Sequence, residues 1–377
     1  MSEGKLKTAV LGLNEGGRLL LKAVSEIDHF HIQAVADKDT VLAERIAEEY
    51  HCAAYDDYRQ LITGMDSRFR GNDIGCLLVA APMYNCDEHI RAAMKKKFNI
   101  LKLAPAARNF EEAAEFVRLA EDENVKFAIA SPSRFARSFL ALREYLQKGK
   151  IEQIFLITAF YNVGDQAHRD PKHDTVRSES QLAWETDPKL AGGGVLLRNC
   201  YEMIDQIVWS FSIPQQVYSL QTNQALDKQQ RLYLTEDTAV VTMKFSDTLI
   251  GNLIASRRTG MGPRENSLRV YGKDKILTVS DRRFTVVDGA GQSSEQLRCD
   301  DNALCRTTSL LESFALSILA PDENKLCSSG GENLKNMAVI ESAYLSARTG
   351  FPEEPGRILQ MASRRTGTPR NIESGHK

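Results

Sequence analysis

The chain has 377 residues, with 48 basic and 50 acidic side chains and a net charge of −2. That length accommodates two domains with separate cores, and the balanced charge excludes global attraction to nucleic acid or an anionic membrane. No apolar run reaches the eighteen or so residues of a membrane span, and the opening MSEGKLKTAV lacks the apolar core of a secretion signal.

In chain order, LKTAVLGL is a β-type run and GGRLLLKAVSEI a helical one. FHIQAVADKD is a second strand ending at Asp37, followed by the helix TVLAERIAEEY. GCLLVAAP, NILKLAP and VKFAIAS are further strands, separated by the helices YNCDEHIRAAMKKKF and NFEEAAEFVRLAEDEN. Strands alternating with helices predict a parallel, doubly wound sheet over residues 1–130. The connection TGMDSRFRGND, residues 63–73, is long for such a unit and reads as a surface insertion or a partner patch.

From residue 131 the pattern changes. The helix RSFLALREYLQKGK leads into the strand-like IEQIFLITAFYNV and a polar loop carrying His168 and His173. GGGVLLRNCYEMIDQIVWSFS reads as one helix. PQQVYSLQTN, DTAVVTMKFS, LIGNLIASRRT, SLRVYGKDKILTVS and RFTVVDG then follow with short turns, as in an open, mainly antiparallel sheet. A last helix, LKNMAVIESAYLSARTG, closes a second α/β domain over 131–355, and residues 356–377 read as a mobile tail. The seven cysteines are scattered outside any CxxC pair, which predicts reduced thiols, a cytoplasmic protein and no metal site.

The first strand and helix flank a turn with Gly12 and Gly17 at the first and third positions of G-x-G-x-x-G. That pattern opens a Rossmann dinucleotide site. Asn14 stands at the second position, where a glycine lets the backbone approach the pyrophosphate, and Glu15 adds a negative charge beside it. Asp37 ends the second strand twenty residues beyond Gly17, the spacing expected of a residue that holds the ribose hydroxyls. An aspartate there favours NAD over NADP. The competing reading makes Asp37 the cap of the helix that follows. Ala81 and Pro82, closing the third predicted strand, complete the candidate cofactor-binding set.

Several stretches in order, AVADKD, YDDYRQLI, CLLVAAP, NILKLAPAARNFEEAAEFVRLAE, SRFARSFLALREYL, WETDPKLAGGGVLL and ESAYLSARTG, resemble the glucose–fructose oxidoreductase/inositol dehydrogenase (Gfo/Idh/MocA) family. The resemblance implies an NAD(P)-dependent oxidoreductase acting on a sugar-like ligand, and a homo-oligomer formed through the second sheet. It also implies a catalytic lysine, aspartate and histidine. Those positions hold Ala104, Arg198 and Glu202, and Cys86 stands where the family often has a histidine near the nicotinamide. Lys102, two residues before Ala104 and on the same strand face, is a substitute or an ordinary surface lysine. Arg198 and Glu202, four apart on a helix, read as an ion pair. Three functions follow: an oxidoreductase with a rebuilt catalytic set, a ligand-sensing or partner subunit without catalysis, or an assembly protein that has lost the cofactor too.

Overall fold

Short buried aliphatic runs pair in parallel to form the first sheet. The computed structural model describes residues 5–68, 75–164, 184–223, 234–259, 265–289 and 291–365. Strands β1 (Leu6–Leu11), β2 (Phe30–Ala36), β3 (Ala53–Tyr55), β4 (Gly75–Val79), β5 (Asn99–Leu103) and β6 (Phe127–Ala130) lie in the order β3-β2-β1-β4-β5-β6. Every residue of β4 is buried, as expected of a strand covered on both faces. Helices α1 (Glu15–Ser25), α2 (Thr40–Tyr50), α3 (Tyr58–Arg68), α4 (Met83–Lys95) and α5 (Phe110–Asp122) alternate with the strands. The strand order reverses between β1 and β4, and that reversal opens a crevice beyond their C-terminal ends. β3 escapes the sequence reading because three residues carry no period. Helix α3 extends to Arg68, into the stretch read as an insertion, and residues 69–74 lie outside the described residues.

The second sheet contains β7 (Leu156–Gly164), β8 (Gln216–Thr222), β9 (Thr238–Lys244), β10 (Ile250–Thr259), β11 (Glu265–Tyr271), β12 (Lys275–Ser280), β13 (Arg283–Asp288) and β14 (Ser293–Arg298). Their order is β14-β13-β12-β11-β7-β10-β9-β8, antiparallel throughout except for the central parallel pair of β7 and β10. The run read as one strand from Ser267 to Ser280 turns back at Gly272 to make β11 and β12. One face, with Ala159, Val241, Leu253, Val270 and Leu277, is buried. Helices α6 (Arg137–Gln147), α7 (Pro188–Ala191) and α8 (Tyr201–Phe211) precede β8, and α6 packs on β12 and β13. The opposite face exposes Leu220 and Ile250 at 62% and 50%.

The chain then returns to the first sheet. Helix α9 (Ala303–Leu319), which the sequence reading passed over, packs on α1. Its Leu310, Leu311 and Phe314 share a core with Leu20, Val24 and Leu78. Helix α10 (Gly330–Thr349) packs against α5 and β8, bridging both sheets. Helix α11 (Pro355–Arg365) occupies the start of the segment read as a tail and packs on α10, while residues 366–377 lie outside the described residues. A buried ion pair ties these layers together. Arg134, in the turn after β6, donates to Asp205 of α8 at 2.8 and 2.6 Å, and Asn336 of α10 donates to the same carboxylate at 2.7 Å.

Candidate functional site

The glycine turn lies at the crevice. Gly12 has φ +91°, and a side-chain carbon added there would stand 2.5 Å from the Ala81 nitrogen, so glycine is required by both conformation and space. Gly17 is equally confined, since an added carbon would meet the Gly12 carbonyl oxygen at 2.0 Å. Asn14 does what the sequence reading did not foresee: it caps α1. Its Oδ1 accepts the Gly17 N–H at 3.0 Å, and its Nδ2 donates to the Ala80 carbonyl at 2.7 Å. Among the described residues, the backbone N–H groups of Asn14, Glu15 and Gly16 have no hydrogen-bond partner. Unpaired donors at a helix N-terminus suit a pyrophosphate, and the exposed Glu15 is the one like charge on that turn.

Asp37 accepts the Leu13 N–H at 2.6 Å through Oδ2 and the Asp39 N–H at 3.0 Å through Oδ1. It thereby ties the end of β2 to the glycine turn, and each oxygen keeps acceptor capacity for a ribose hydroxyl. The capping role belongs to its neighbour, because Asp39 accepts from Leu42 N at 3.0 Å and caps α2. Ala81 donates its N–H to Leu11 at 2.9 Å, and Pro82 leads into α4. The turn, Asp37, Ala81 and Pro82 therefore line one crevice, and the set fits a dinucleotide.

Lys102 lies near the end of β5, and Ala104 begins the β5–α5 connection. Ala104 carries no titratable group. Lys102 is neither a surface lysine nor free, being 3% exposed. Its Nζ donates to the carbonyls of Leu103 at 3.1 Å and Pro105 at 2.5 Å. Burial lowers its pKa, against the opposing influence of Cys86 and Glu112. Cys86 is buried as well, its thiol pushed up to about 11 by desolvation. Glu112 is occupied by Arg108 at 2.7 Å, and Arg108 reaches Asp87 at 3.1 Å.

The triple glycine brings the second domain against this connection. Gly192 has φ +75°, and an added carbon would lie 2.2 Å from the Arg108 carbonyl oxygen. The buried Glu236 holds the turn: its carboxylate accepts Gly194 N–H at 2.8 Å, Leu196 N–H at 2.9 Å and the Tyr344 hydroxyl at 3.0 Å. Residues Val195–Asn199 form a π-type turn, and α8 begins only at Tyr201. This break overturns the expected Arg198–Glu202 ion pair, since the two no longer share one α-helical face. Arg198 pairs instead with Glu185 at 2.9 Å and lies over the Trp184 ring at 4.5 Å. Trp184 in turn meets Tyr84 of α4 with ring centroids 5.3 Å apart, closing the cleft between domains. Glu202 is partly buried and accepts the Ser133 N–H at 3.1 Å. Burial raises its pKa, against the opposing influence of its hydrogen bonds to Ser133 and of the Arg306 guanidinium. His168 and His173 lie outside the described residues.

Residues 6–131 match the model of the oxidoreductase family with an NAD-binding Rossmann fold, and residues 139–278 match the GFO/IDH/MocA C-terminal domain. The chain belongs to the GFO/IDH/MocA family. An uncharacterized oxidoreductase of Schizosaccharomyces pombe is 25% identical over 217 residues, covering 56% of this chain and 54% of that protein. The chain thus spans about half the length of that relative. An inositol dehydrogenase homolog from Azotobacter vinelandii, solved with NAD+, superposes with a TM-score of 0.80 at 16% identity over 93% of this chain and 97% of that one. An oxidoreductase from Agrobacterium radiobacter, solved with NAD+, L-tartaric acid and magnesium, gives 0.76 at 16% identity over 94% and 99%. At such identities the superpositions show the shared fold. Among the described residues no cluster of His, Cys, Asp or Glu could hold a metal ion, and no helix is long and apolar enough to cross a membrane.

Sequence reasoning reached Asp37, Lys102, Arg198 and Glu202 but missed their partners. Glu185 beside Arg198 and Ser133 beside Glu202 have no motif of their own, nor has Glu236, which holds the triple-glycine turn. The nearest signal was the triple glycine, which implies something pressed against it without naming what.

Proposed function

We propose that the protein binds NAD(H) in the crevice at α1 and lacks the family's usual sugar dehydrogenase activity. The observation that carries this is the fate of the catalytic positions. Oxidising an alcohol needs a base near the working pH as the hydride leaves. Ala104 has no proton-accepting group, and Arg198 is a permanent cation already paired with Glu185. Lys102 directs its amine at two backbone carbonyls. The nicotinamide, when bound, would supply a hydride acceptor; this chain would supply the N–H groups of the α1 turn and the Asp37 carboxylate. Asp37 supports NAD over NADP, because a 2′-phosphate would meet its negative charge. Such a protein would sense a small sugar-like ligand or serve as a partner subunit. The exposed apolar face of the second sheet supports homo-oligomerisation, and seven free cysteines support a cytoplasmic setting.

One observation favours a second reading. Glu202 occupies the acid/base position as a carboxyl whose pKa burial has raised, the direction that suits a proton acceptor. The two readings separate in one experiment: calorimetric titration with NAD+, NADH, NADP+ and NADPH, together with NAD+ reduction assays on glucose and myo-inositol. The expected result is NAD+ binding tighter than NADP+, weakened about tenfold or more by Asp37→Ala, and no turnover. Absence of nucleotide binding refutes the cofactor assignment. Turnover abolished by Glu202→Gln establishes the rebuilt catalytic set instead.

A further inference from the structure

Among the described residues, the second-domain side of the cleft carries the arginines Arg198 and Arg257, and of these Arg198 alone pairs with a carboxylate. Arg198 and Glu185 neutralise each other at 2.9 Å, both largely shielded from solvent. Arg257, near the end of β10, is partly buried. Among the described residues, its guanidinium makes one polar contact, a long one of 3.4 Å to Thr235 Oγ1. Its acidic neighbours are committed elsewhere. Glu236 spends its carboxylate on Gly194, Leu196 and Tyr344, Asp237 accepts from Thr238 Oγ1 at 3.2 Å, and Glu185 belongs to Arg198. Burial and the adjacent Arg198 cation both lower the Arg257 pKa, outweighing the opposing influence of Glu236, Asp237 and Glu185. A guanidinium partly withdrawn from water without a paired anion is costly, and five planar donors in a fork match a carboxylate.

The surroundings point the same way. Tyr84 and Trp184 form an aromatic wall at 5.3 Å centroid separation, with Arg198 over the indole. An aromatic face beside two guanidinium groups suits a ring or chain with an apolar edge and one acidic end. The geometry of the guanidinium selects the acid: its planar fork meets a carboxylate through two parallel N–H···O bonds.

We propose that Arg257, with Arg198 beside it, is an anion subsite, and that the ligand of this cleft is a sugar acid carrying one carboxylate. The inference rests on the cleft being the ligand site under the function proposed above. It is independent of whether turnover survives, and it is tested without nucleotide, so that failure of cofactor binding and failure of this subsite are read separately.

Trp184 provides the readout, since the chain has two tryptophans and one lines the cleft. The full-length protein is titrated with D-glucuronate, D-gluconate, D-glucose and myo-inositol, following tryptophan fluorescence and heat. At least one of the acids should bind about tenfold or more tightly than either neutral compound, and Arg257→Gln should abolish that preference. Arg257→Lys, which keeps the charge, should retain part of it, and melting curves confirm that both variants fold. Neutral compounds binding as tightly as the acids, an acid preference that survives R257Q, or no binding of either acid overturns the proposal.

Discussion

Replacing Asp205 by alanine should destabilise the whole molecule, because that carboxylate sits where both sheets are joined. Asp205 is 0% and Arg134 3% exposed. The carboxylate accepts four hydrogen bonds: 2.6 Å from Ser131, 2.8 and 2.6 Å from Arg134, and 2.7 Å from Asn336. Without it, Arg134 keeps Glu332 at 2.8 Å, a partner 46% exposed and therefore screened, together with its position over the Trp209 ring at 4.8 Å. Breaking a buried pair from one side costs about 3–5 kcal/mol, which corresponds to a drop in melting temperature on the order of 5–10 °C. Differential scanning calorimetry measures it. The double variant Asp205→Ala/Arg134→Met should recover about half of the loss, since most of the cost is the stranded cation. A drop of less than about 2 °C for the single variant, or additive losses in the double, would refute the reasoning.

Two further outcomes follow from the buried titratable groups. Glu202 has its carboxyl raised from the ordinary 4.5 by burial, so the folded state holds that proton more tightly than the unfolded state. Stability on its account is full below the unfolded value and is lost as pH rises through the folded one. Glu202→Gln should therefore raise the melting temperature more at about pH 8 than at about pH 4, and an equal gain at both removes the burial argument. Lys102→Met leaves the Leu103 and Pro105 carbonyls without their donor while relieving a buried charge. The net cost should be about 1–2 kcal/mol in urea unfolding, with NAD+ affinity changed less than about twofold; a larger loss of affinity would place Lys102 in the cofactor site.

Much of the fold was legible because its signals are local. Gly12, Gly17 and Asp37 lie within a span of 26 residues, and their spacing reflects one strand, one turn and one helix. β4 announces itself as an unbroken apolar run. α9 was equally periodic and was simply passed over, whereas β3 is too short to signal. The candidate site was legible in its positions and illegible in its pairings. Arg198 and Glu202 are four apart, which implies contact on an ideal helix, but Glu236, 40 residues beyond Leu196, holds the N–H groups of Gly194 and Leu196 where the backbone enters a π-type turn. That long-range constraint turned an expected ion pair into two unrelated contacts.

By itself the sequence determined the strand and helix order and the glycine turn with its acidic residue. These depend on residue type and near spacing. The tertiary structure decided what stands beside each side chain. It set Glu185 against Arg198, left Arg257 without a carboxylate among the described residues, folded Asn14 into a helix cap and buried Lys102 under backbone carbonyls. Arg198 and Glu185, 13 residues apart, and Asn14 and Ala80, 66 apart, meet only after the sheets have formed and packed. Their choice is made by burial, which penalises every unpaired polar group, and no local pattern records it.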